Sequence, residues 1–361
     1  MIPIVLCLNS AYTRQAAMVI YTALKNANPG TTYSFYLISF DLKQSDMDFV
    51  RLVASKFDNC HDLQFLKMEQ NDYDSIPTKG RFGKETCFRL FLPRLVPNCP
   101  KLIYLDCDTM VLGDLSELFD TDLTGKAYAA CSEKRIYTMR WNPIMSAHYY
   151  PRFRFFNQFG FDIFDDKTHY CNAGVMLINV EYWKQHDYLS RTLVFLKEHF
   201  DDPDFGCLDQ DVLNILAWQD GFDSRVYIDW RYNMMAKFEG LKTIDKKDVV
   251  QQANLRMLYF DQNVDSIAPK IVHFSDAVKP WSGGKTFHEK LYRQEAKLMG
   301  WDIKIRSKRI LQVLVKCVVL VATFVVPHGV AKLVSKYSSK LKSFFKKILP
   351  KRLIRLMRKV V

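Results

Sequence analysis

The fold is decided by residues Leu102–Asp108, which read LIYLDCD. A short apolar run of this kind is typical of a buried strand. Side chains alternate between the two faces of a strand, so Asp106 and Asp108 would point to the same side if the extended backbone continued past Leu105. They would then lie at the carboxyl end of the strand, where open α/β sheets bind their ligands.

Asp106 and Asp108 also indicate a chemistry, because two neighbouring carboxylates repel each other unless a cation lies between them. Oxygen ligands suit Mg²⁺ or Mn²⁺, particularly where phosphate oxygens fill the remaining positions. An isolated Asp-x-Asp is more often an acidic turn after a strand, since so short a motif arises frequently by chance. Further motifs elsewhere in the chain are therefore needed to distinguish a metal site from a turn.

Apolar strands and amphipathic helices alternate along the chain on both sides of this stretch. The predicted strands are Ile2–Leu8, Tyr33–Phe40, Leu63–Met68, Ala127–Cys131, Cys171–Asn179 and Lys270–Phe274. The predicted helices are Thr13–Asn28, Ser45–Phe57 with Ser45 as its N-cap, Glu85–Leu95, Leu112–Phe119, Glu181–Phe200 and Val212–Trp218. The polar segment Asn71–Lys84 is predicted to be a loop. This alternation predicts an α/β fold with a mainly parallel, Rossmann-like sheet and helices on both faces.

Residues Tyr137–Phe164 hold ten aromatic side chains without a clean periodicity, together with three arginines. Two interpretations remain open for this segment. It could be a substrate loop, in which flat rings stack on sugars and arginines hold phosphates. It could equally be a covering flap whose aromatic rings belong to the core.

The positive charge of the chain is concentrated in its last residues. The formal net charge is +12 over 361 residues, but residues 304–361 hold 16 Lys and Arg and no Asp or Glu. The rest of the chain holds 35 basic and 39 acidic residues, a net charge of −4. A mildly acidic globular body is therefore followed by a strongly basic tail.

Residues 304–361 have the pattern of helices that lie in an anionic membrane surface. Apolar residues recur at spacings near three and four between Leu333 and Val360, and Lys and Arg fill the other faces. The apolar run Ile310–Val326 is interrupted by polar residues and is shorter than the roughly 20 residues that span a bilayer. A solvated basic helix or a helix that docks on a partner is the alternative, and the large apolar content argues against nucleic-acid binding.

The nine cysteines are scattered without any Cys-x-x-Cys pair, which argues against a zinc site. Several lie in apolar runs, as Cys7 does, and this is typical of reduced, buried thiols in a cytosolic protein.

The first apolar run, Ile2–Leu8, is short and lacks a preceding basic region, so we expect a strand and not a signal peptide. The glycine motifs of dinucleotide oxidoreductases and P-loop enzymes are missing, as is the Gly-x-Ser-x-Gly elbow.

Four motifs occur in a fixed order along the chain. They are LDCD at 105–108, NAG at 172–174, LDQD at 208–211 and HFSDAVKPW at 273–281. Singly, they could be a turn, a helix N-cap, a structural histidine and a solvated lysine. Together, over Ile2–Trp281, they make the chain resemble retaining glycosyltransferases of family 8, in particular bacterial enzymes that add glucose or galactose to lipopolysaccharide or lipooligosaccharide.

The resemblance implies a GT-A catalytic domain over residues 1–285, which leaves 286–361 as a basic, apolar helical region for membrane association. It also implies a UDP-hexose donor and a divalent ion, usually Mn²⁺, with Mg²⁺ as the alternative. Asp106, Asp108 and His273 match the metal ligands of the family. The ion would bridge the pyrophosphate of the donor and neutralise the charge that builds up on the UDP leaving group.

The same resemblance assigns the donor contacts. Lys279 would reach the pyrophosphate, and Arg89 would lie near the donor sugar and phosphate. Asn172 and Asp209 would hydrogen-bond the sugar hydroxyls, and Gln210 would lie beneath the anomeric carbon. The implied donor-binding residues are Leu8, Asn9, Tyr12, Arg89, Asp106, Cys107, Asn172, Ala173 and Lys279.

Gln210 limits the mechanism, because an amide is a poor nucleophile and double displacement needs a carboxylate. The resemblance therefore favours front-face attack, with Gln210 stabilising an oxocarbenium-like sugar and Asp209 as the alternative nucleophile.

Two positions depart from the family pattern. Asn9 stands where relatives often have an acidic contact to uracil, and Asp276 stands where glycine is frequent.

These implications predict a metal-dependent hexosyltransferase that moves glucose or galactose from a UDP-sugar to a lipid-linked saccharide. It would be cytoplasmic and bound peripherally to the inner face of the membrane through residues 304–361, without a nucleic-acid partner. A metal-dependent phosphohydrolase that uses Asp106 and Asp108 is one rival interpretation, although the chain lacks the nearby His and Asp clusters of two-metal sites. A non-catalytic module that binds a membrane surface is the other.

Overall fold

A computed structural model describes residues 1–77, 83–133, 153–163, 170–235, 268–275, 278–283, 286 and 288–303. In this part of the chain the strands are β1 (Ile2–Cys7), β2 (Tyr33–Ser39), β3 (Cys60–Lys67), β4 (Lys101–Leu105), β5 (Thr109–Val111), β6 (Tyr128–Ser132), β7 (Cys171–Asn179), β8 (Arg225–Tyr227), β9 (Met234–Met235) and β10 (Ile271–His273). The α-helices are α1 (Thr13–Lys25), α2 (Gln44–Ala54), α3 (Gln70–Ser75), α4 (Leu92–Leu95), α5 (Ser116–Phe119), α6 (Val180–Gln185), α7 (Tyr188–His199), α8 (Leu208–Gln219) and α9 (Glu289–Met299).

The strands of the main sheet lie in the order β3-β2-β1-β4-β7-β6-β8. The first four are parallel to one another. β7 runs antiparallel to both of its neighbours, and β8 is parallel to β6. α1 and α2 connect consecutive parallel strands, since such strands need a crossover connection. The prediction of an α/β fold with a mainly parallel sheet flanked by helices is confirmed.

The main sheet separates two apolar cores, and β1 is buried along its whole length between them. On one face, Ile4 and Leu6 pack in the same cluster as the apolar side chains of α1 and α2. On the other face, Val5 and Cys7 pack in a cluster that includes α8 and the 3-10 helix Lys84–Phe91. This two-sided burial explains why the strand reads as a continuous apolar run.

A second sheet brings a distant part of the chain to the end of β4. Its strand order is β5-β10-β9, and β10 runs antiparallel to β5 with His273 opposite Thr109. The backbone N–H of Phe274 also donates to the Asp108 carbonyl at 2.8 Å. His273 therefore lies beside Asp108 although it is far downstream in the chain.

The extended backbone does not continue past Leu105, so the condition for aligning the two carboxylates by strand alternation is not met. β4 ends at Leu105, and a turn over Asp106–Asp108 is closed by a hydrogen bond from the Thr109 N–H to the Asp106 carbonyl at 3.1 Å. The turn lets the chain leave the main sheet and pair with β10. The two carboxylates therefore converge through a turn and not through the alternation of a strand.

Two helix predictions near the N-terminus need correction. α2 begins at Gln44, where the Lys43 N–H donates to Asp46 Oδ2 at 3.1 Å, so Ser45 is not the cap. The predicted helix Glu85–Leu95 is a 3-10 helix up to Phe91 and becomes α4 afterwards.

Two other segments differ from the predicted pattern. The predicted loop Asn71–Lys84 begins inside helix α3. Glu181–Phe200 forms two helices, because Asp187 adopts a left-handed backbone with φ of 49° between them. Neither change moves a predicted site residue.

Most of the aromatic segment Tyr137–Phe164 lies outside the described residues. Its described part, 153–163, contains one helical turn and buries Phe155, Phe156 and Phe161 almost completely. These rings pack in the same core cluster as α7 and α8. The core interpretation therefore holds for these three side chains.

The last described helix, α9, packs on the body of the protein. Its Glu295 Oε2 lies 2.7 Å from Lys25 Nζ of α1, and Tyr292 is fully buried. Residues Met1–Lys304 form one compact unit. The predicted basic helical tail lies outside the described residues, and the division of the chain at residue 285 stays a prediction. No helix in the described part of the chain is long and apolar enough to cross a bilayer.

Candidate active site

Three side chains with metal-binding atoms converge where β4 ends and β10 pairs with β5. Asp106, Asp108 and His273 each contribute one such atom, and these atoms lie within 4.8 Å of one another. His273 Nε2 lies 3.2 Å from Asp108 Oδ1 and 3.7 Å from Asp106 Oδ2. His273 is almost fully buried, whereas Asp106 is the most exposed of the three, so the cluster is reached from the side of Asp106.

Neighbouring side chains bind one oxygen of Asp106 and leave the other free for the cluster. Oδ1 accepts hydrogen bonds from the Tyr104 hydroxyl and from Arg89 Nη2, both at 2.8 Å. Arg89 also lies over the Tyr104 ring, 4.0 Å from its centre. The orientation of the carboxylate is therefore fixed before any ligand arrives.

Asp108 also presents one oxygen to the cluster. Its Oδ2 accepts a hydrogen bond from Lys279 Nζ at 2.7 Å, whereas its buried Oδ1 accepts none from any described residue. The nearest described polar group to Oδ1 is His273 Nε2 at 3.2 Å, so beside a neutral imidazole this buried oxygen has no donor, which costs free energy. A cation would satisfy it, and two carboxylates with an imidazole suit a divalent transition metal. The residues present therefore fit a divalent metal ion.

The charges of the cluster shift its proton equilibria. Burial by itself would raise the pKa of Asp108, but His273 and Lys279 outweigh it and hold that pKa well below its ordinary range. Burial by itself would lower the pKa of His273, but the carboxylates of Asp108 and Asp106 raise it above its ordinary value. A proton therefore competes with a cation for His273 Nε2 up to a higher pH than it would at an ordinary histidine.

Arg89 links the metal cluster to Asp209, the first acidic residue of α8. Arg89 Nε lies 2.9 Å from Asp209 Oδ2, but its proton is directed at the Thr86 carbonyl, 3.1 Å away. The contact with Asp209 is therefore electrostatic, and Oδ2 receives no hydrogen bond from the described residues. Burial raises the pKa of Asp209 to about 6, because Arg89 offsets only part of the burial effect.

The amide of Gln210 is held at both ends. Its Oε1 accepts a hydrogen bond from the Ala173 N–H at 2.9 Å, and its Nε2 donates to the Tyr170 hydroxyl at 2.8 Å. The Tyr170 hydroxyl donates in turn to Asp211 Oδ1 at 2.5 Å, and the Cys207 N–H donates to the other Asp211 oxygen at 2.7 Å. The side chain of Gln210 is therefore rigid, with a known orientation of its carbonyl.

Asn172 is held by the turn that begins β7. Its Oδ1 accepts hydrogen bonds from the Gly174 N–H and from Asn233 Nδ2, both at 2.9 Å. Its Nδ2 lies 3.5 Å from Oε2 of Glu133, a buried carboxylate that also lies 3.4 Å from Gln210 Nε2. Asn172, Gln210 and Glu133 therefore form one polar wall beside the metal cluster.

Gly174 allows the backbone of β7 to approach the metal cluster closely. A Cβ at this position would lie 2.1 Å from His273 Cε1 and 2.9 Å from Asp106 Oδ2. Any side chain would displace two of the three candidate ligands. The NAG motif therefore requires a glycine at its third position for steric reasons.

The predicted base-binding residues lie at the end of β1. Asn9 Oδ1 accepts a hydrogen bond from the Ala11 N–H at 3.1 Å and so caps the 3-10 helix Ser10–Tyr12. The Tyr12 ring is 36% exposed and meets Trp281 edge-on, with ring centres 6.3 Å apart. Tyr12 is therefore free to stack on a ligand, and Leu8 is buried beneath this region.

Cys107 has little to offer a ligand through its side chain. The thiol is buried and donates to the Cys7 carbonyl at 3.3 Å, and burial raises its pKa well above the ordinary value. A donor could meet Cys107 only through its backbone. The predicted role of this residue is restricted accordingly.

Direct contacts, together with contacts through Glu133, thus join most of the predicted site residues into one network. These are Arg89, Asp106, Asp108, Asn172, Ala173, Asp209, Gln210, His273 and Lys279. Their roles toward a substrate stay predictions. The sequence interpretation missed Tyr104, Glu133, Tyr170, Asp211 and Asn233. Tyr104 and Asp211 could have been found from their positions within or beside the motifs, but the other three lie in no motif.

The comparisons with known proteins identify the family and agree with this fold. The family model for Glycosyl transferase family 8 matches residues 3–284, and the chain therefore belongs to this family. It is a glycosyltransferase with a GT-A type fold. The prediction of the family and of its fold is confirmed.

Individual relatives are distant. General stress protein A of Bacillus subtilis (strain 168) is 24% identical over 294 residues, which cover 81% of this chain and 90% of that protein. Glycosyltransferase GlyF of Streptococcus pneumoniae serotype 4 is 24% identical over 280 residues, which cover 77% of this chain but only 57% of GlyF. The chain thus spans a little over half the length of some curated relatives.

A solved structure shares the fold over nearly its full length. It is the crystal structure of the galactosyltransferase LgtC in complex with donor and acceptor sugar analogues. The TM-score is 0.63 at 21% sequence identity, and the match covers 85% of this chain and 99% of LgtC. This likeness establishes the fold.

The raised pKa of His273 predicts how metal affinity depends on pH. Below that pKa, binding must displace one proton from Nε2, so the affinity for Mn²⁺ should rise about tenfold per pH unit and level off above it. Calorimetric titrations of the protein with Mn²⁺ between pH 6 and pH 9 measure this slope. His186→Gln, which changes a histidine outside the cluster, should leave the slope unchanged, and an affinity independent of pH would contradict the account of His273.

Proposed function

We propose that this glycosyltransferase is a retaining, metal-dependent hexosyltransferase that moves glucose or galactose from a UDP-sugar to a lipid-linked saccharide. One observation carries the proposal. Asp209 directly precedes Gln210 of the polar wall, and we call Asp209 together with that wall the sugar-side wall. Arg89 contacts both Asp106 of the metal cluster and Asp209 of the sugar-side wall, so the two halves of the site form a single unit. Such a unit suits a substrate with a diphosphate at one end and a sugar at the other.

Asp106, Asp108 and His273 would hold the divalent ion, which we take to be Mn²⁺. When bound, the ion supplies Lewis-acid stabilisation of the negative charge that develops on the diphosphate leaving group. Lys279 already lies beside Asp108 at 2.7 Å, so its ammonium can turn to a phosphate oxygen once Asp108 has another partner. Arg89 is almost fully buried, and it would act on the substrate by orienting Asp106 and Asp209.

The sugar-side wall supports front-face attack. The Ala173 N–H and the Tyr170 hydroxyl fix the Gln210 amide, so its carbonyl is preorganised to stabilise a positive sugar without moving. Asp209 Oδ2 is buried against Arg89, which lowers the power of this carboxylate as a nucleophile, so Asp209 would meet a sugar hydroxyl through its other oxygen. Attack of the acceptor on the face that UDP leaves would retain the configuration at the anomeric carbon.

The donor base would stack on Tyr12, whose ring is partly exposed at the end of β1. Asn9 Nδ2 would donate to a base carbonyl, since Asn9 Oδ1 is occupied by the Ala11 N–H. The LgtC structure contains donor and acceptor sugar analogues, which supports a nucleotide-sugar donor and a saccharide acceptor for a chain of this fold.

The membrane part of the proposal rests on residues 304–361, which hold 16 basic and no acidic residues. Apolar residues at helical spacing between these charges favour a peripheral helix on an anionic surface. A lipid-linked acceptor at the cytoplasmic face of the membrane would then lie within reach of the catalytic domain. The phosphohydrolase has no specific observation in its favour, because the described residues contain one cluster of three metal-type ligands and not the larger set of a two-metal site. The non-catalytic membrane module is not favoured either, since the chain belongs to a family of glycosyltransferases.

A donor screen tests the proposed activity. With Mn²⁺ and a saccharide acceptor, UDP release should be fastest with UDP-glucose or UDP-galactose. Asp108→Asn should lower kcat/KM at least about 100-fold, because removing a preorganised electrostatic partner of the transition state has effects of this size. Asp48→Asn, at an exposed carboxylate of α2, should leave it unchanged. Metal-independent transfer by Asp108→Asn at the wild-type rate would contradict the proposal.

Vesicle binding tests the role of the tail. Replacing Lys346, Lys347 and Lys351 by glutamine should weaken binding to phosphatidylglycerol vesicles about 100-fold, since each lysine contributes roughly 1 kcal/mol at an anionic surface. Arginine at the same three positions should preserve binding. Transfer to a short soluble acceptor should be unaffected in both variants. Equal sedimentation of the glutamine variant and the wild type with vesicles would show that the tail does not act through its charge.

A further inference from the structure

We propose that Asn233 is a positioning residue that fixes the tautomer of His273 and ties the metal cluster to the sugar-side wall. The inference rests on the metal site of the proposed function and adds a residue that no motif contains. Asn233 lies 40 residues before His273 and 61 residues after Asn172, and it contacts both side chains.

The fold holds Asn233 in place. It is the last residue of the 3-10 helix Trp230–Asn233 and immediately precedes β9, which pairs parallel with β10. Only 6% of Asn233 is exposed, and only 2% of His273, so neither side chain has water as an alternative partner. A change at Asn233 is therefore felt directly by the imidazole.

The orientation of the Asn233 amide follows from its partners. The Gly174 N–H can only donate, so the Asn172 atom that it contacts at 2.9 Å is the oxygen. The Asn233 atom 2.9 Å from that same oxygen must then be the nitrogen, which donates to it. The Asn233 oxygen is thereby turned toward His273 Nδ1, 2.8 Å away.

An oxygen acceptor at Nδ1 determines the tautomer of the ring. Nδ1 carries the proton and donates it to Asn233, so the lone pair of the neutral imidazole is on Nε2. Nε2 is the atom that faces Asp108 at 3.2 Å and Asp106 at 3.7 Å. Without Asn233, the two carboxylates would draw the proton to Nε2, and that tautomer cannot bind a metal ion through Nε2.

The same amide couples the two halves of the site. Its nitrogen holds Asn172 Oδ1, which leaves Asn172 Nδ2 directed toward the polar wall with Glu133. Asn233→Asp keeps an oxygen for His273 Nδ1 but loses the donor to Asn172. Asn233→Leu has a similar size and keeps neither interaction. The two variants therefore separate the effect on the metal ligand from the effect on the sugar-side wall.

Nitrogen NMR of the metal-free protein reads the tautomer directly. The chain has eight histidines, and the His273 ring is identified by its absence from His273→Gln. In ¹⁵N-histidine-labelled protein at alkaline pH, His273 should be protonated on Nδ1 in the wild type and in Asn233→Asp. In Asn233→Leu the proton should move to Nε2. A wild-type ring protonated on Nε2, or an unchanged tautomer in Asn233→Leu, would overturn the proposal.

Metal affinity gives a second, independent readout. Loss of a partner that orients a metal ligand typically costs about 10- to 100-fold in affinity. Asn233→Leu should lose Mn²⁺ affinity by this factor, whereas Asn233→Asp should stay within about threefold of the wild type and instead raise KM for the donor. Equal losses of Mn²⁺ affinity in both variants would reduce Asn233 to a packing role and overturn the proposal.

Asn179→Leu is the matched control. Its amide is also bonded at both ends, to the Tyr182 N–H and the Leu123 carbonyl, but at the opposite end of β7. It should lower stability without changing the His273 tautomer or the Mn²⁺ affinity, and a comparable loss of affinity would contradict the assignment. A wild type that binds Mn²⁺ with the expected tautomer but transfers no hexose would refute the proposed function and leave the role of Asn233 intact.

Discussion

The pairing of β10 with β5 is the interaction on which the site depends. It places His273 opposite Thr109 and closes the chain over Asp108 through the Phe274 N–H. The turn Asp106–Asp108 exists because the chain must leave the main sheet to make this pair. Without it the two carboxylates would end a strand without an imidazole beside them. The metal cluster is therefore a property of two sheets and not of a local motif.

Charge balance is the second constraint. Asp106, Asp108 and Asp209 lie in one partly buried region, and buried charges are tolerated only when they are paired. Arg89 contacts two of these carboxylates, and Lys279 holds the third. Arg89 is buried, so its ion pairs persist when a ligand binds. Lys279, in contrast, competes with any incoming cation for Asp108. The distribution of basic groups thus leaves one face of the cluster ready to exchange partners when a metal and a diphosphate bind.

The sequence predicts those parts of the structure that local pattern determines. Continuous apolar runs identify the buried strands, and the motifs place Asp108, His273 and Gln210 in the site. Whether the strand continues past Leu105 could not be decided from the sequence, because the pairing of the following residues with a second sheet is a tertiary effect that no window of residues shows. Asn233 escapes sequence analysis for the same reason. It is one asparagine in a polar stretch, and only the tertiary fold brings it against His273 and Asn172.

The central claim is that His273 and two carboxylates hold the metal ion, and pulsed electron paramagnetic resonance of the Mn²⁺-loaded protein tests it most directly. A bound imidazole nitrogen modulates the electron spin echo of Mn²⁺, whereas oxygen ligands do not. The account predicts one nitrogen coupling in the wild type that disappears in His273→Gln. A wild-type spectrum without nitrogen coupling, at saturating Mn²⁺, would contradict it.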